Sequence, residues 1–349
     1  MQQQRLDHVH GLRGIAALVV VIQHACQLVQ DAGADHYRWF LDGINFGRFG
    51  VVLFFMISGL VIPFSFRGDT PLRHFAISRF FRLYPVYWLS IPVLAYVALF
   101  RGGHVDFAMV LSNLTMLQGL WSGRNIGPGY WTLSYEMAFY ILCAVLFAAR
   151  LLANVALNGV VVLMALALAL VPIAQGDSGN VTNAPFFIAM FFLGMLLRRA
   201  FVDECPSARL WSWIATPAAM IAGLLLSGWL VPVPENGNAY LRPLQLSLGM
   251  VLPVVVFVAV LWLKPQPPKA VMYLGTISYS LYLFQDVSLI FLREALPPAQ
   301  WPVVYVLAVL GVTATIAALV YRFVEQPMIA LGRRFAHWAG ETDKAPATL

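Results

Sequence analysis

LANVALNGVVVLMALALALVPI, residues 152–173, runs for 22 residues without one charged side chain. As a helix it rises about 33 Å at 1.5 Å per residue, enough to cross a bilayer core of roughly 30 Å. It is too long for a strand and lacks the short alternating pattern of a transmembrane barrel. Working outward, similar runs recur at 11–30, 47–65, 83–100, 131–149, 184–197, 211–231, 243–263, 271–291 and 301–321. Of the 349 residues, 60% are hydrophobic and 11% charged, where a soluble domain carries about a quarter charged. That balance excludes a water-soluble fold, and the 13% of aromatic residues argues against disorder. The expected fold is an all-α polytopic membrane protein with about ten transmembrane helices.

An eleventh stretch, 105–120, is short and polar, with Asn113, Thr115 and Gln118. Basic residues concentrate on the cytoplasmic side of membrane proteins, and this decides how the stretch is read. If it does not cross, 15 of the 22 Lys and Arg fall on one side and six on the other, with Arg13 inside the first helix. The basic side then holds both termini and the arginines at 67, 73, 79 and 82. Residues 105–120 are therefore expected to be a re-entrant or interfacial segment, walled by protein. The stretch 101–130 becomes a lid or site wall, with the two Gly and one Pro of NIGPGYW (125–131) as turn chemistry.

The remaining composition is exclusionary. The net charge of +6 is spread through short gaps between apolar runs, so it reads as topology, with no nucleic-acid partner. Three cysteines make no disulfide framework, and no Cys/His spacing fits a metal; no metal is expected. The first apolar stretch has no small-x-small cleavage site and is interrupted by Arg13, so it is expected to be a retained helix. Residues 1–335 read as a single membrane domain and 336–349 as a polar cytoplasmic tail.

An ionisable side chain inside a span is costly and marks function by default. Here the set is Arg13, His24, Glu136 and Asp286. His24 and Glu136 both fall roughly 8–9 Å below the outer end of their helices, by the rise per residue. A histidine and a carboxylate in one layer suit general-base chemistry, in which the acid balances the ring as it takes a proton. The bland readings are a hydrogen bond between helices for His24, a structural acid for Glu136 and a snorkelling Asp286. On the basic side, Arg79 and Arg82 are three apart on one helical face. Such a pair suits forked hydrogen bonds to phosphate, against the plain alternative of topology anchoring.

Six blocks of the sequence resemble, in order, those of the acyltransferase-3 family of integral membrane O-acyltransferases. LDHVHGLRGIAALVVVIQHA resembles its opening helix, with an arginine and a histidine separated by ten residues at Arg13 and His24. GRFGVVLFFMISGLVI resembles the second helix through Phe54, Phe55, Ser58 and Gly59. ISRFFRLYPVYWL carries the Arg-x-x-Arg-x-x-Pro element at Arg79, Arg82 and Pro85. GYWTLSYEMAFY resembles the Trp-Ser-Leu-Ser-x-Glu helix at Trp131, Ser134 and Glu136. LGTISYSLYLFQD and FVEQPMIALGRR resemble the last blocks, around Ser278, Tyr279, Tyr282, Glu325 and Pro327. Residues 150–265 share only hydrophobicity.

The resemblance implies ten transmembrane helices in a bacterial inner membrane. It implies transfer of an acyl group, usually acetyl, from cytoplasmic acyl-CoA to a hydroxyl of a sugar or glycan. Acyl-CoA is then a co-substrate, and no cofactor is bound. His24 resembles the family's essential histidine, with Glu136 beside it in the catalytic set. Arg79 and Arg82 resemble a donor-binding pair, joined by Arg13. Ser58, Trp131, Ser134, Tyr279, Tyr282 and Gln285 become acceptor or supporting residues. Gln285 stands where the family often has histidine, and Thr132 where serine is usual. Trp39, Trp121, Tyr130 and Trp131 are candidates to stack on sugar faces. The rival class is a transporter or exporter of a glycan or small metabolite; its inverted repeats and paired broken helices are absent from the sequence.

Overall fold

The computed structural model describes residues 6–66, 68–121, 123–175, 184–229 and 243–338. Among them there is no strand. The helices are α1 Asp7–Asp31, α2 Arg38–Leu41, α3 Phe46–Val61, α4 Pro71–Phe100, α5 Phe107–Leu114, α6 Tyr130–Ala148 and α7 Val155–Ala174. They continue as α8 Ala184–Phe201, α9 Pro206–Trp229, α10 Pro243–Leu263, α11 Lys269–Ala295, α12 Pro302–Val320 and α13 Gln326–Trp338. Nine helical stretches among the described residues are long and apolar enough to cross a membrane. The tenth run, 271–291, lies in α11, whose 27 residues suffice by length but include Thr276, Ser278, Ser280, Gln285 and Asp286. The protein is thus an all-α polytopic membrane protein.

Helices α4 and α12 continue well beyond their apolar runs. Helix α4 has 30 residues and begins at Pro71, which sits at the first helical position where its missing N–H costs nothing. Its length, about 45 Å, exceeds the bilayer core by roughly 15 Å. Arg73, Arg79 and Arg82, which precede the apolar run 83–100, are therefore held on the helix, and Arg79 and Arg82 share a helical stretch as their spacing suggested. Helix α12 runs through a π-helical turn, Tyr321–Glu325, into α13. The last part of the polar tail, 339–349, lies outside the described residues, and α13 itself reaches Trp338.

The stretch 105–120 forms α5 and a 3-10 turn, Gln118–Leu120. The eight residues of α5 rise only about 12 Å, too little to cross. Its polar groups are met by protein, as non-spanning backbone requires. Asp106 caps α5 by accepting from the Met109 N–H at 2.7 Å, and it pairs with Arg124. The Met109 N–H, with Arg124 beside it, holds the Asp106 carboxyl below the usual carboxylate range. Buried Asn113 donates to the carbonyls of Met109 and Arg124 and accepts from Ile126 N–H at 3.2 Å. Tyr84 and Trp88 of α4 donate to the carbonyls of Thr115 and Leu114 at 2.9 and 3.0 Å.

The chain forms two compact units. One holds Leu6–Pro63 and Leu151–Gly275. There α3 and α8 touch backbone to backbone: a Cβ on Gly59 would strike the Phe191 carbonyl, and one on Gly194 the Met56 carbonyl. Small residues at such contacts let helices approach where the lipid offers no hydrophobic drive. The other unit holds Phe64–Arg150 and the chain from Thr276 onward. Its helices are stapled by hydroxyls: Tyr279 to the Leu83 carbonyl at 3.1 Å, Ser280 to Glu325 at 2.8 Å, and Tyr305 to the Leu289 carbonyl at 2.6 Å.

Candidate active site

Arg13, His24 and Ser58 belong to the first unit. Eleven residues make just over three full turns of α-helix, so Arg13 and His24 share one face of α1, about 16 Å apart along it. The next residue to His24, Gln23, is 3% exposed and accepts the Phe46 N–H at 3.2 Å, which fixes the start of α3 against α1. His24 points the same way: its Nε2 lies 3.9 Å from where a Cβ would stand on Gly47. Ser58 lies near the far end of α3, half-buried, beside the close contact at Gly59.

The second unit carries Arg79, Arg82, Trp131, Ser134, Glu136, Tyr279, Tyr282 and Gln285. Arg79 is clasped between two rings: its guanidinium lies 5.8 Å from the Phe75 centroid and 5.9 Å from that of Tyr140. Phe75 precedes it by one turn of α4 and stacks on Phe66, which stacks in turn on Phe147. The Arg79 Nε is buried and makes no hydrogen bond. Among the described residues, neither Arg79 nor Arg82 has a carboxylate within ion-pair distance.

Glu136 accepts a hydrogen bond from the Tyr140 hydroxyl at 2.5 Å, one turn along α6. Tyr279 lies within electrostatic reach of both Glu136 and Glu325. Glu325 sits on the π-helical turn, is 1% exposed and accepts from Ser280. Such turns are often found at functional sites. Tyr140 and Ser280 carried no role in the sequence reading, and Glu325 none beyond its block. The four-residue spacing of Glu136 and Tyr140 was the available signal.

Several candidates turn out to be staples. Ser134 accepts the Gly119 N–H at 3.2 Å and so anchors the re-entrant segment. Tyr282 shares a 3.0 Å hydrogen bond with Thr132 and donates to the Gly129 carbonyl at 3.3 Å. Thr132 supplies the hydroxyl that a serine would supply there. Gln285 is 1% exposed and donates to the Tyr282 carbonyl at 3.1 Å. Tyr130 is 1% exposed, bonded to Ser90 at 2.5 Å and packed on Tyr87. It is therefore not free to stack on a sugar, because its ring fills the core. Trp39 and Trp121, at 75% and 50% exposed, are. Asp286 is half-buried, one turn beyond Tyr282.

Comparison with known proteins names the class. The profile of the acyltransferase-3 family, described as Acyltransferase domain, matches residues 6–322, and the chain belongs to this family. It is similar to Acyltransferase MdmB of Streptomyces mycarofaciens, 30% identical over 148 residues, 39% of this chain and 38% of that protein. It is 24% identical over 358 residues to Nodulation protein 10 of Rhizobium leguminosarum bv. viciae, with 92% of each chain covered. It is also 30% identical over 151 residues to Protein 2 in picA locus of Rhizobium radiobacter, 41% of this chain and 64% of that one. No solved structure matches.

Proposed function

We propose that this protein is an inner-membrane O-acyltransferase that moves an acyl group, in the first place acetyl, from cytoplasmic acyl-CoA to a hydroxyl of a sugar or glycan. The observation that carries the reading is Arg79, ringed by Phe75 and Tyr140 and without a counter-ion. With Arg82 one turn on, and Arg13 as a further cation, it would take the phosphates of CoA. The charge distribution argues that this end of α4, and both termini, are cytoplasmic, where acyl-CoA is made available.

His24 takes the proton from the acceptor hydroxyl as its oxygen attacks the thioester carbonyl. The new C–O bond forms, the C–S bond breaks, and the CoA thiolate leaves and is protonated. Glu136 completes the catalytic set that the family resemblance implies. Ser58, Trp131, Ser134, Tyr279, Tyr282 and Gln285 support the acceptor side, with Trp39 and Trp121 as faces for a sugar. Residues 1–335 act as one acyltransferase domain.

The test is mass spectrometry of surface glycans from cells with and without the gene. Loss of an acyl mass from one glycan in the deletion strain is expected, and it names donor chain length and acceptor together. Glycans that lose abundance at the surface but keep every acyl group would instead favour an exporter.

A further inference from the structure

Arg48 lies in the first turn of α3, in the unit that holds His24. Its backbone is fixed on two sides. The Arg48 N–H donates to the Asn45 Oδ1 cap at 2.8 Å, and the Asn45 N–H donates to the Gln245 carbonyl of α10 at 3.2 Å. A Cβ on Gly249 of α10 would stand 3.2 Å from the Arg48 Cβ. The guanidinium reaches α8, where it lies 5.6 Å from the centroid of Phe187. That ring is 2% exposed, so the side chain reaches into the bundle and not out to the headgroups. Arg48 is half-buried, and no described carboxylate lies within ion-pair distance of it. Asp42, just before α3, pairs with Arg38 at 3.7 Å and accepts from Gln245 at 3.3 Å.

Its depth is that of His24. A Cβ on Gly47 would stand 3.9 Å from His24 Nε2, and the next residue along a helix is displaced by only about 1.5 Å. The charge distribution that makes both termini cytoplasmic puts this start of α3 in the outer half. A permanent cation inside a span is costly, and one aromatic face offsets only part of that cost. A sugar face is at hand in the same unit. Exposed Trp39 packs edge-on against Phe40, which stacks at 4.8 Å on Phe46, two residues before Arg48.

We propose that Arg48 binds an anionic group, a carboxylate or a phosphate, on the acceptor, so that the acceptor is an acidic glycan. The proposal rests on the reading of His24 as the base toward an acceptor hydroxyl. The planar fork of a guanidinium matches an anion that offers two oxygens. Held there, the anion brings its sugar into the layer of His24 from the outer side. Arg79 and Arg82 face the cytoplasm by the same charge distribution, so donor phosphates and acceptor anion are taken by different cations.

The test starts from the glycan that loses its acyl mass in the deletion strain; its repeat unit should carry a carboxylate or a phosphate. Acyl transfer by the purified full-length protein is then measured with three forms of that glycan: as isolated, with its carboxylates reduced to alcohols, and after phosphatase treatment. For wild type, one treatment should raise the acceptor KM about 10–100-fold, and which one does so names the anion. Arg48→Gln should raise the KM for the untreated glycan by a similar factor and leave the acyl-CoA KM within about twofold. It should lose nothing further on the treated form. An acylated glycan without an anionic group, equal KM values for all three forms in the wild type, or an Arg48→Gln loss that is the same on treated and untreated glycan overturns the proposal. The wild-type comparisons decide it even if Arg48→Gln does not fold. A deletion strain that loses no acyl mass brings down the acyl-transfer reading itself, and the acidic acceptor with it.

Discussion

Helices α6 and α7 follow one another in the chain and are 19 and 20 residues long. Either crosses a bilayer core, yet they do different work. Helix α7 buries Gly159, Val162, Leu166 and Ala169 on one side and turns Val160, Met164, Leu168 and Val171 outward. Its buried amide, Asn158, is spent on the Leu152 carbonyl at 3.2 Å, and Gly159 lies against the face of Trp211. Helix α6 sends Ile141 and Val145 outward in the same way, but its other face carries Glu136 and Tyr140. Hydrophobic content makes a helix a span. The polar interruptions, and what they meet on α4, make it part of a site.

The comparison predicts a sharp division between changes in the two kinds of helix. On the site side, Arg79→Lys and Arg82→Lys should each raise the KM for acyl-CoA about tenfold while leaving the acceptor KM little changed. Lysine keeps the charge but loses the planar fork, and at Arg79 also the stacking between Phe75 and Tyr140. Steady-state kinetics with each substrate varied in turn would show it. Free substitution by lysine would reduce the pair to topology anchors. On the structural side, Gly159→Leu forces a side chain into Trp211 and should destabilise by about 1–3 kcal/mol. Thermal unfolding should report that loss, while turnover per folded molecule stays within about twofold. A Gly159→Leu protein that is stable but inactive would erase the distinction between the helices.

Much of this was legible beforehand, for physical reasons. A membrane helix announces itself by length and apolarity, so the runs found helices almost one for one. The failure of 105–120 to cross followed from where the arginines had to lie. Helix ends were less legible. The arginines of α4 break its apolar run, although Pro71 starts the helix well before them. Which face of α7 meets lipid was not readable, because both faces are apolar. In the site, Glu136 and His24 stood out as titratable groups in the wrong solvent, and Arg79 by its three-residue spacing from Arg82. Tyr130 was misread, because an aromatic beside a loop looks the same in sequence whether it fills the core or faces outward. Tyr140 was passed over because its meaning depends on Arg79, some sixty positions away. The π-helical turn that buries Glu325 has no sequence signature at all.

The most direct measurement is acyl transfer by the purified protein in lipid, with radiolabelled acetyl-CoA and the glycan identified from cells. Wild type should place label on the glycan through an ester and release CoA in equal amount. His24→Ala, correctly inserted, should lose about 10²–10⁴-fold in rate, the usual cost of a missing general base. Label transferred at near wild-type rate by His24→Ala, or glycan carried across the membrane by the wild type without any label, would contradict the account.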